Sequence, residues 1–161
     1  MSMRILGVDP GTVALGYGVV EKNGNDCRAL KFGCLKLSSK VPFPTRLKRI
    51  YDEIVRVINE FQPDQFAVED LFYAENVKVA LKMGHGRGVV LLAAVNHGIP
   101  TAEYSPREIK QSVAGNGAAS KEQVQRMLQH LLMLDGPPEP LDASDALAVA
   151  MCHLHRMESP I

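Results

Sequence analysis

A short apolar run that ends in a single carboxylate dominates the first part of the chain, at residues 5–12 (Ile-Leu-Gly-Val-Asp-Pro-Gly-Thr). An apolar run of this length before a Pro-Gly break is typical of a buried β-strand. Because an unpaired buried carboxylate is costly, Asp9 at the strand tip needs a cation, hydrogen bonds or solvent. Two interpretations stay open for this stretch: a functional carboxylate beside exposed backbone N–H groups, or a tight turn in which Asp9 caps local N–H groups.

Hydrophobic periodicity predicts three strands, a helix, a strand, a long helix, a strand and further helices, in that order. The Asn-Gly-Asn-Asp sequence at 23–26 is typical of a turn between the second and third strands. Pro42 and Pro44 are expected to interrupt the chain before the first helix. The expected strands are 3–8, 15–21, 27–37, 65–68 and 99–104, and the expected helices are 47–61, 76–97, 106–113, 120–132 and 142–155.

This order of elements predicts an α/β fold with a five-stranded mixed sheet and helices on both faces. Right-handed crossovers place the first strand beside the strand that ends at Glu69, and the two run parallel. Asp9 and Glu69 are therefore expected at the same edge of the sheet. A length of 161 residues with 46% hydrophobic content suits a single domain that spans 1–161.

Composition narrows the classes of function. The formal net charge is zero, so a nucleic-acid partner has to be recognised through local basic patches. No apolar run approaches the ~20 residues of a membrane span, and the chain enters a strand without a signal peptide. Cys27 and Cys34 lie an odd number of positions apart in one strand, so they are expected on opposite faces and unpaired. A cytoplasmic protein with reduced thiols and no membrane contact is expected.

The long helix at 76–97 contains three glycines, Gly84, Gly86 and Gly88. Each costs ~1 kcal/mol relative to alanine in a helix interior. These glycines would allow a second helix to approach closely, including a helix from another subunit. The alternative is two helices with a loop at 84–88. Five apolar residues are expected to share one side of a continuous helix: Val77, Leu81, Val89, Leu92 and Val95.

The last helix begins with two acidic residues, Asp142 and Asp145, that share a helix face because they are three positions apart. One interpretation is an N-cap and a first-turn acid at the positive end of the helix. The rest of the helix is apolar and is expected to be buried on the sheet, which favours a second interpretation. In that interpretation the two acids meet Asp9 and Glu69.

Four converging carboxylates repel each other unless cations lie between them. Hard oxygen ligands favour Mg²⁺ or Mn²⁺. Two such ions ~3.5–4 Å apart stabilise the attacking and leaving oxygens of phosphodiester hydrolysis. The pattern therefore predicts a metal-dependent nuclease with two ions per active site.

Several separated motifs lie between Met3 and about His155: 7–12, Val68-Glu69 with Phe72, Asn76, 81–84 leading to Arg87-Gly88, Tyr104, 113–117 and 142–147. Together they resemble the bacterial RuvC Holliday-junction resolvases. The resemblance implies an RNase H-like fold, a homodimer and Mg²⁺-dependent nicking of two opposed strands of a four-way DNA junction, in recombination and repair. It also implies work alongside the RuvA–RuvB branch-migration complex.

The resemblance assigns roles to individual residues. Lys121 corresponds to a family lysine near the scissile phosphate, where it stabilises developing charge, although a solvated lysine at a helix start is the alternative. Phe72 and Tyr73 are candidates for stacking on an unpaired base, with core packing as the alternative for Phe72. The candidate metal and catalytic carboxylates are Asp9, Glu69, Asp142 and Asp145, and the further candidate DNA contacts are Lys78, Lys82, Arg87 and Lys110.

Two other classes of function remain open at this point. One is a junction-binding protein without chemistry, in which the acids are structural caps. The other is an actin-like nucleotide-binding phosphotransferase that uses the turn at 9–12, although no second glycine-rich phosphate loop is recognisable.

Overall fold

The computed structural model describes residues 2–70 and 76–159. Five strands form its sheet: β1 (Ser2–Pro10), β2 (Ala14–Asn23), β3 (Asp26–Lys36), β4 (Gln65–Glu69) and β5 (Thr101–Tyr104). Their order across the sheet is β3-β2-β1-β4-β5. The meander β1–β2–β3 is antiparallel, whereas β4 pairs parallel with both β1 and β5. The predicted mixed sheet is confirmed.

Helices cover both faces of this sheet. They are α1 (Phe43–Phe61), α2 (Val77–Asn96), α3 (Pro106–Ala114), α4 (Lys121–Leu131) and α5 (Leu141–Glu158). One core cluster joins α3, α4 and α5 to the sheet, and a second joins α1 and α2 to the opposite face. Within the described ranges, none of these helices has the length and hydropathy needed to cross a membrane.

The first helix begins earlier than predicted. Pro42 is its N-cap, and Pro44 lies inside the first turn instead of interrupting the chain. Proline is tolerated there because the first N–H groups of a helix have no intrahelical acceptor. The four additional residues bring Arg46 onto the buried side of the helix, in line with Ile50 and Ile54.

A bulge in the outer hairpin corrects the prediction for the cysteines. The pairing of β2 with β3 shifts between Val19 and Val20, so that the alternation of side chains along β3 inverts. As a result, Cys27 packs on the core beneath α5, and the Cys34 thiol contacts Asp142 of the same helix. The two cysteines lie on one face and not on opposite faces. All three cysteines are free, as predicted.

Helix α2 is continuous, so the two-helix alternative is wrong. Asn76 caps its N-terminus by accepting hydrogen bonds from the N–H groups of Lys78 and Val79. The residues buried against the protein are Gly86, Val90, Ala93 and Ala94. The apolar side predicted from the sequence is not this buried side, and most of it faces outward. The exposed fractions are 72% for Val77, 61% for Leu81, 53% for Leu92 and 62% for Val95.

Helix α5 lies very close to the central strands. A Cβ atom at Gly7 in β1 would clash with the carbonyl oxygen of Ala146, and one at Gly16 in β2 would clash with that of Asp142. Glycine at these two positions lets the helix backbone rest directly on the sheet. This contact positions the beginning of α5 beside the end of β1.

Candidate metal and nucleic-acid site

Three carboxylates from distant parts of the chain meet at one edge of the sheet. Asp9, Asp142 and Asp145 each offer one carboxylate oxygen, and these three oxygens lie within 4.8 Å of one another. Asp9 follows the buried part of β1, and the other two lie in the first two turns of α5. Pro140 is the N-cap of α5, which has no side-chain capping hydrogen bond. The interpretation of Asp142 as an N-cap is therefore wrong.

Glu69 lies beside this three-acid cluster. Val8 pairs with Val68 in the parallel ladder, so Asp9 and Glu69 leave neighbouring strands at the same edge, as predicted. Glu69 is half-buried and close enough to raise the pKa of Asp9 by its charge. It stands outside the group whose oxygens lie within 4.8 Å. The structure thus brings three of the four predicted acids into contact range and the fourth alongside them.

The electrostatics of the cluster favour a bound cation. Burial, followed by the charges of Asp145, Glu69 and Asp142, raises the pKa of Asp9 from 3.8 to about 8. Burial is also the main reason why the pKa values of Glu69 and Asp145 are raised. Lys121 lowers the pKa of all three groups by its positive charge. Proton binding relieves part of the repulsion, and a divalent ion would relieve it more completely.

The donor set fits a hard divalent ion. All the candidate ligand atoms are carboxylate oxygens, which Mg²⁺, Mn²⁺ and Ca²⁺ prefer. All three aspartates are partly exposed, so water and a substrate oxygen have access to the same ion. Two observations therefore favour a divalent ion at this site: the carboxylate oxygens as ligands and the raised pKa of Asp9.

Two lysines stand next to the acids. Lys121 Nζ lies 3.9 Å from Asp145 Oδ2, and 63% of the lysine side chain is exposed. Lys110 and Lys121 line a small cavity of about 180 Å³ together with Glu69 and Asp145. Lys110 also lowers the pKa of the two acids by its charge. Both lysines therefore lie beside the carboxylates, while the role expected for Lys121 at a phosphate and the DNA contact expected for Lys110 stay predictions.

The basic residues of α2 have different environments. Lys78 is exposed in the first turn, and Lys82 is exposed with its Nζ 5.6 Å from the centroid of the Phe43 ring. Arg87 is largely buried and pairs with Asp70 and Glu103 instead of facing outward. Its guanidinium group is thus paired within the protein, and its predicted contact with DNA stays a prediction. Phe72 and Tyr73 lie outside the described residues, so their predicted stacking stays a prediction.

Sequence reasoning missed two residues near the site. Arg46 donates a hydrogen bond of 2.7 Å from Nη1 to the carbonyl of Thr12, in the turn that follows Asp9. Its spacing of four residues before Ile50 was a usable signal that it lies on the buried side of α1. Cys34 Sγ lies 3.7 Å from Asp142 Oδ2, which only the bulge in β3 makes possible.

The comparisons with known proteins give the family. The family model described as "Crossover junction endodeoxyribonuclease RuvC" matches residues 5–153. The chain belongs to the RuvC family. The family and the RNase H-like fold, both predicted from the motifs, are confirmed.

Named relatives agree over nearly the whole length. The crossover junction endodeoxyribonuclease RuvC of Moorella thermoacetica is 52% identical over 151 residues, 94% of this chain and 90% of the relative. That of Desulforamulus reducens is 48% identical over 151 residues, 94% and 93% of the two chains. Among solved structures, T. thermophilus RuvC in complex with Holliday junction substrate is 34% identical with a TM-score of 0.89, covering 98% of this chain and 96% of that one.

Proposed function

We propose that the protein is a structure-selective endonuclease that resolves four-way (Holliday) DNA junctions during homologous recombination and repair. The observation that carries the proposal is the convergence of Asp9, Asp142 and Asp145 within 4.8 Å, beside Glu69. Acids this far apart in sequence meet at the cost of mutual repulsion, which a catalytic metal site explains. The relatives named as crossover junction endodeoxyribonucleases, one of them solved with a Holliday junction substrate, support the same activity.

The proposed cofactor is Mg²⁺, with Mn²⁺ as a substitute and two ions per site. Asp9, Asp142 and Asp145 would hold the ions together with Glu69. Bound divalent ions supply Lewis-acid stabilisation of charge and lower the pKa of water for phosphodiester hydrolysis. The chain itself contributes the fixed positions of the acids and the ammonium group of Lys121, which is close enough to the cluster to stabilise negative charge that develops on a phosphate.

The proposed substrate surface surrounds this cluster. A second cavity, of about 620 Å³, borders Asp9 and Glu69 and is also lined by Arg107. It is large enough for a nucleotide-sized group beside the acids. Phosphate contacts are proposed for Lys110 and Lys121, and for Lys78 and Lys82 on α2, with base stacking proposed for Phe72 or Tyr73.

A homodimer is proposed because two opposed strands have to be cut. A C2 dimer supplies two active sites related by the same symmetry as the junction. The outward side of α2 supports this proposal, since it presents exposed apolar side chains around two glycines that allow close backbone approach. This face, called the α2 face below, consists of Val77, Leu81, Gly84, Gly88, Leu92 and Val95.

Further parts of the proposal follow from the family alone or from the topology. The RuvA–RuvB complex is the proposed partner, and the cytoplasm is the proposed location. One domain over 1–161 is proposed because a single sheet joins both core clusters.

The test uses a synthetic immobile four-way junction and a linear duplex, each with and without Mg²⁺. We expect paired nicks at symmetric positions in the junction, only with the metal, and none in the duplex. Binding without nicks by a demonstrably folded protein would favour the non-catalytic junction-binding alternative. ATP turnover without DNA cleavage would favour the phosphotransferase alternative.

A further inference from the structure

Arg87 occupies an unusual position between α2 and the ends of two strands. Only 17% of its side chain is exposed. Arg87 follows the buried Gly86, where a Cβ would meet Ile50 in the core, and precedes Gly88 of the α2 face. The guanidinium group therefore extends from a helix that borders the solvent into the region next to the carboxylate cluster.

The contacts of this guanidinium group converge on the strand that carries Glu69. Arg87 Nε donates a hydrogen bond of 3.3 Å to the backbone carbonyl of Glu69 itself. The buried Nη2 forms ion pairs with Asp70 Oδ1 at 3.3 Å and Glu103 Oε1 at 2.6 Å, although neither contact has the geometry of a hydrogen bond. In the parallel ladder β4–β5, Glu103 pairs with Val68, one residue before Glu69. One side chain thus ties both strand ends to α2 at the point where Glu69 enters the site.

We propose that Arg87 is a positioning residue that holds the Glu69 end of β4 in place for metal binding. This inference rests on the proposed function. The contacts of Arg87 within the protein are with Asp70, Glu103 and the Glu69 carbonyl, and not with the cluster of aspartates. Its action is on the backbone that orients the Glu69 carboxylate, in the way that outer-shell partners orient metal ligands.

The local charge balance explains why arginine is needed. Asp70 and Glu103 would otherwise face each other without a cation, next to an already acidic site. A planar guanidinium reaches two carboxylates and a carbonyl at once, whereas a lysine ammonium is a single point charge. Arg87→Lys is therefore expected to preserve charge neutrality but lose the contact with the Glu69 carbonyl.

The test compares Arg87→Gln and Arg87→Lys with the wild type, and with Arg56→Gln as a control. Arg56 likewise pairs with two carboxylates, Glu53 and Glu60, but on α1. The first readout is the Mn²⁺ or Mg²⁺ concentration that gives half of the metal-induced thermal stabilisation, without DNA. We expect a 10–100-fold increase for Arg87→Gln, a smaller increase for Arg87→Lys and no change for the control.

The second readout is junction binding in EDTA as a function of salt. A phosphate contact would reduce the slope of log K against log salt by about 1 when the arginine is removed. Positioning predicts an unchanged slope. A reduced slope together with an unchanged metal midpoint would overturn the inference in favour of a DNA contact.

A role in stability alone has a separate signature. It would lower the melting temperature of the metal-free protein and leave the metal midpoint unchanged, and this result would also overturn the inference. The metal midpoint needs no cleavage activity. If the wild type binds metal but fails to nick junctions, the proposed function fails while the positioning role of Arg87 is still measured.

Discussion

At the scale of single residues, Asp9 shows the conflict between stability and the proposed activity. Its burial and its acidic neighbours raise its pKa to about 8, so the folded protein without a cation disfavours the charged form. Because the folded pKa lies above the unfolded value of 3.8, this group destabilises the metal-free protein increasingly as pH rises from 3.8 to about 8. A divalent ion would reverse this effect by binding the charged form.

Asp9→Asn tests this conflict directly. Removing the charge from the cluster is expected to stabilise the metal-free protein by roughly 2 kcal/mol or more at neutral pH. The same variant is expected to lose Mg²⁺-dependent cleavage while it retains junction binding. Denaturant unfolding with EDTA, a gel-shift assay and a nicking assay measure the three properties. Metal-dependent nicking by the variant would remove Asp9 from the mechanism.

His153 belongs to a buried polar network behind the site. Its Nδ1 lies 2.6 Å from the Tyr104 hydroxyl and its Nε2 lies 3.0 Å from Gln65 Oε1. Burial lowers the pKa of the imidazole below its ordinary value of 6.5. The unfolded state therefore binds a proton more readily, and the stability contributed by neutral His153 is present above pH 6.5 and lost as pH falls toward the folded pKa.

His153→Gln is expected to make this loss visible. At pH 8 the wild type should be more stable, since glutamine cannot reproduce both contacts of the ring. The difference in unfolding free energy between the two proteins should narrow below pH 6.5, by at most about 1.4 kcal/mol per pH unit for one proton. Denaturant unfolding between pH 5 and 8 measures it. A difference that stays constant over this range would contradict the lowered pKa.

At the scale of elements, the contact between α5 and the sheet decides whether the acids meet. Gly16 pairs with Asp9 across the β1–β2 ladder, and the backbone of Asp142 rests on Gly16. The position of Asp142 and Asp145 is therefore set by the contact between the α5 backbone and the β2 backbone, and not by side-chain packing. Any side chain at this point has to move the helix.

Gly16→Ala is expected to displace the beginning of α5, because its Cβ would meet the Asp142 carbonyl oxygen, which cannot rotate away. Overpacking of this kind costs about 1–3 kcal/mol or more. Junction cleavage should fall more than about 10-fold in the protein that still folds, with a higher metal requirement. Gly136→Ala is the control, since no other part of the described chain lies within 4 Å of a Cβ there. Equal behaviour of both variants would contradict this account.

At the scale of the whole molecule, the α2 face is the proposed contact between subunits. Apart from the neighbouring backbone of α2 itself, the described residues place no atom within 4 Å of a Cβ at Gly84 or Gly88. Among the described residues, therefore, no packing contact at these glycines compensates for their low helix propensity. Close packing against a second copy would account for that cost, and it would place α2, with Arg87, between the two active sites.

Leu81→Glu is expected to shift the protein from dimer to monomer and to abolish paired cuts, because a charge at this position would be buried in the interface. Sedimentation velocity and a junction-cleavage assay measure the two effects. Met133→Glu is the matched control, since Met133 is 70% exposed away from this face. A wild-type protein that is monomeric at concentrations where cleavage is complete would contradict the assignment of the interface.

Local patterns were enough to determine the elements and two features of the site. Periodicity located the helices, and their starts are also set locally: Ser105 and Ser120 cap α3 and α4 through hydrogen bonds within one turn. The common edge for Asp9 and Glu69 was predictable because right-handed crossovers leave few topologies open.

The tertiary structure decided what depends on contacts between distant segments. Which side of α2 is buried depends on whether other elements cover it, and both sides of this helix contain small or apolar residues. The shared face of Cys27 and Cys34 depends on a bulge that follows from pairing with β2. The position of Glu69 beside the three aspartates likewise depends on the pairing of β4 with β1 and β5, because contacts between strands act through space and not along the chain.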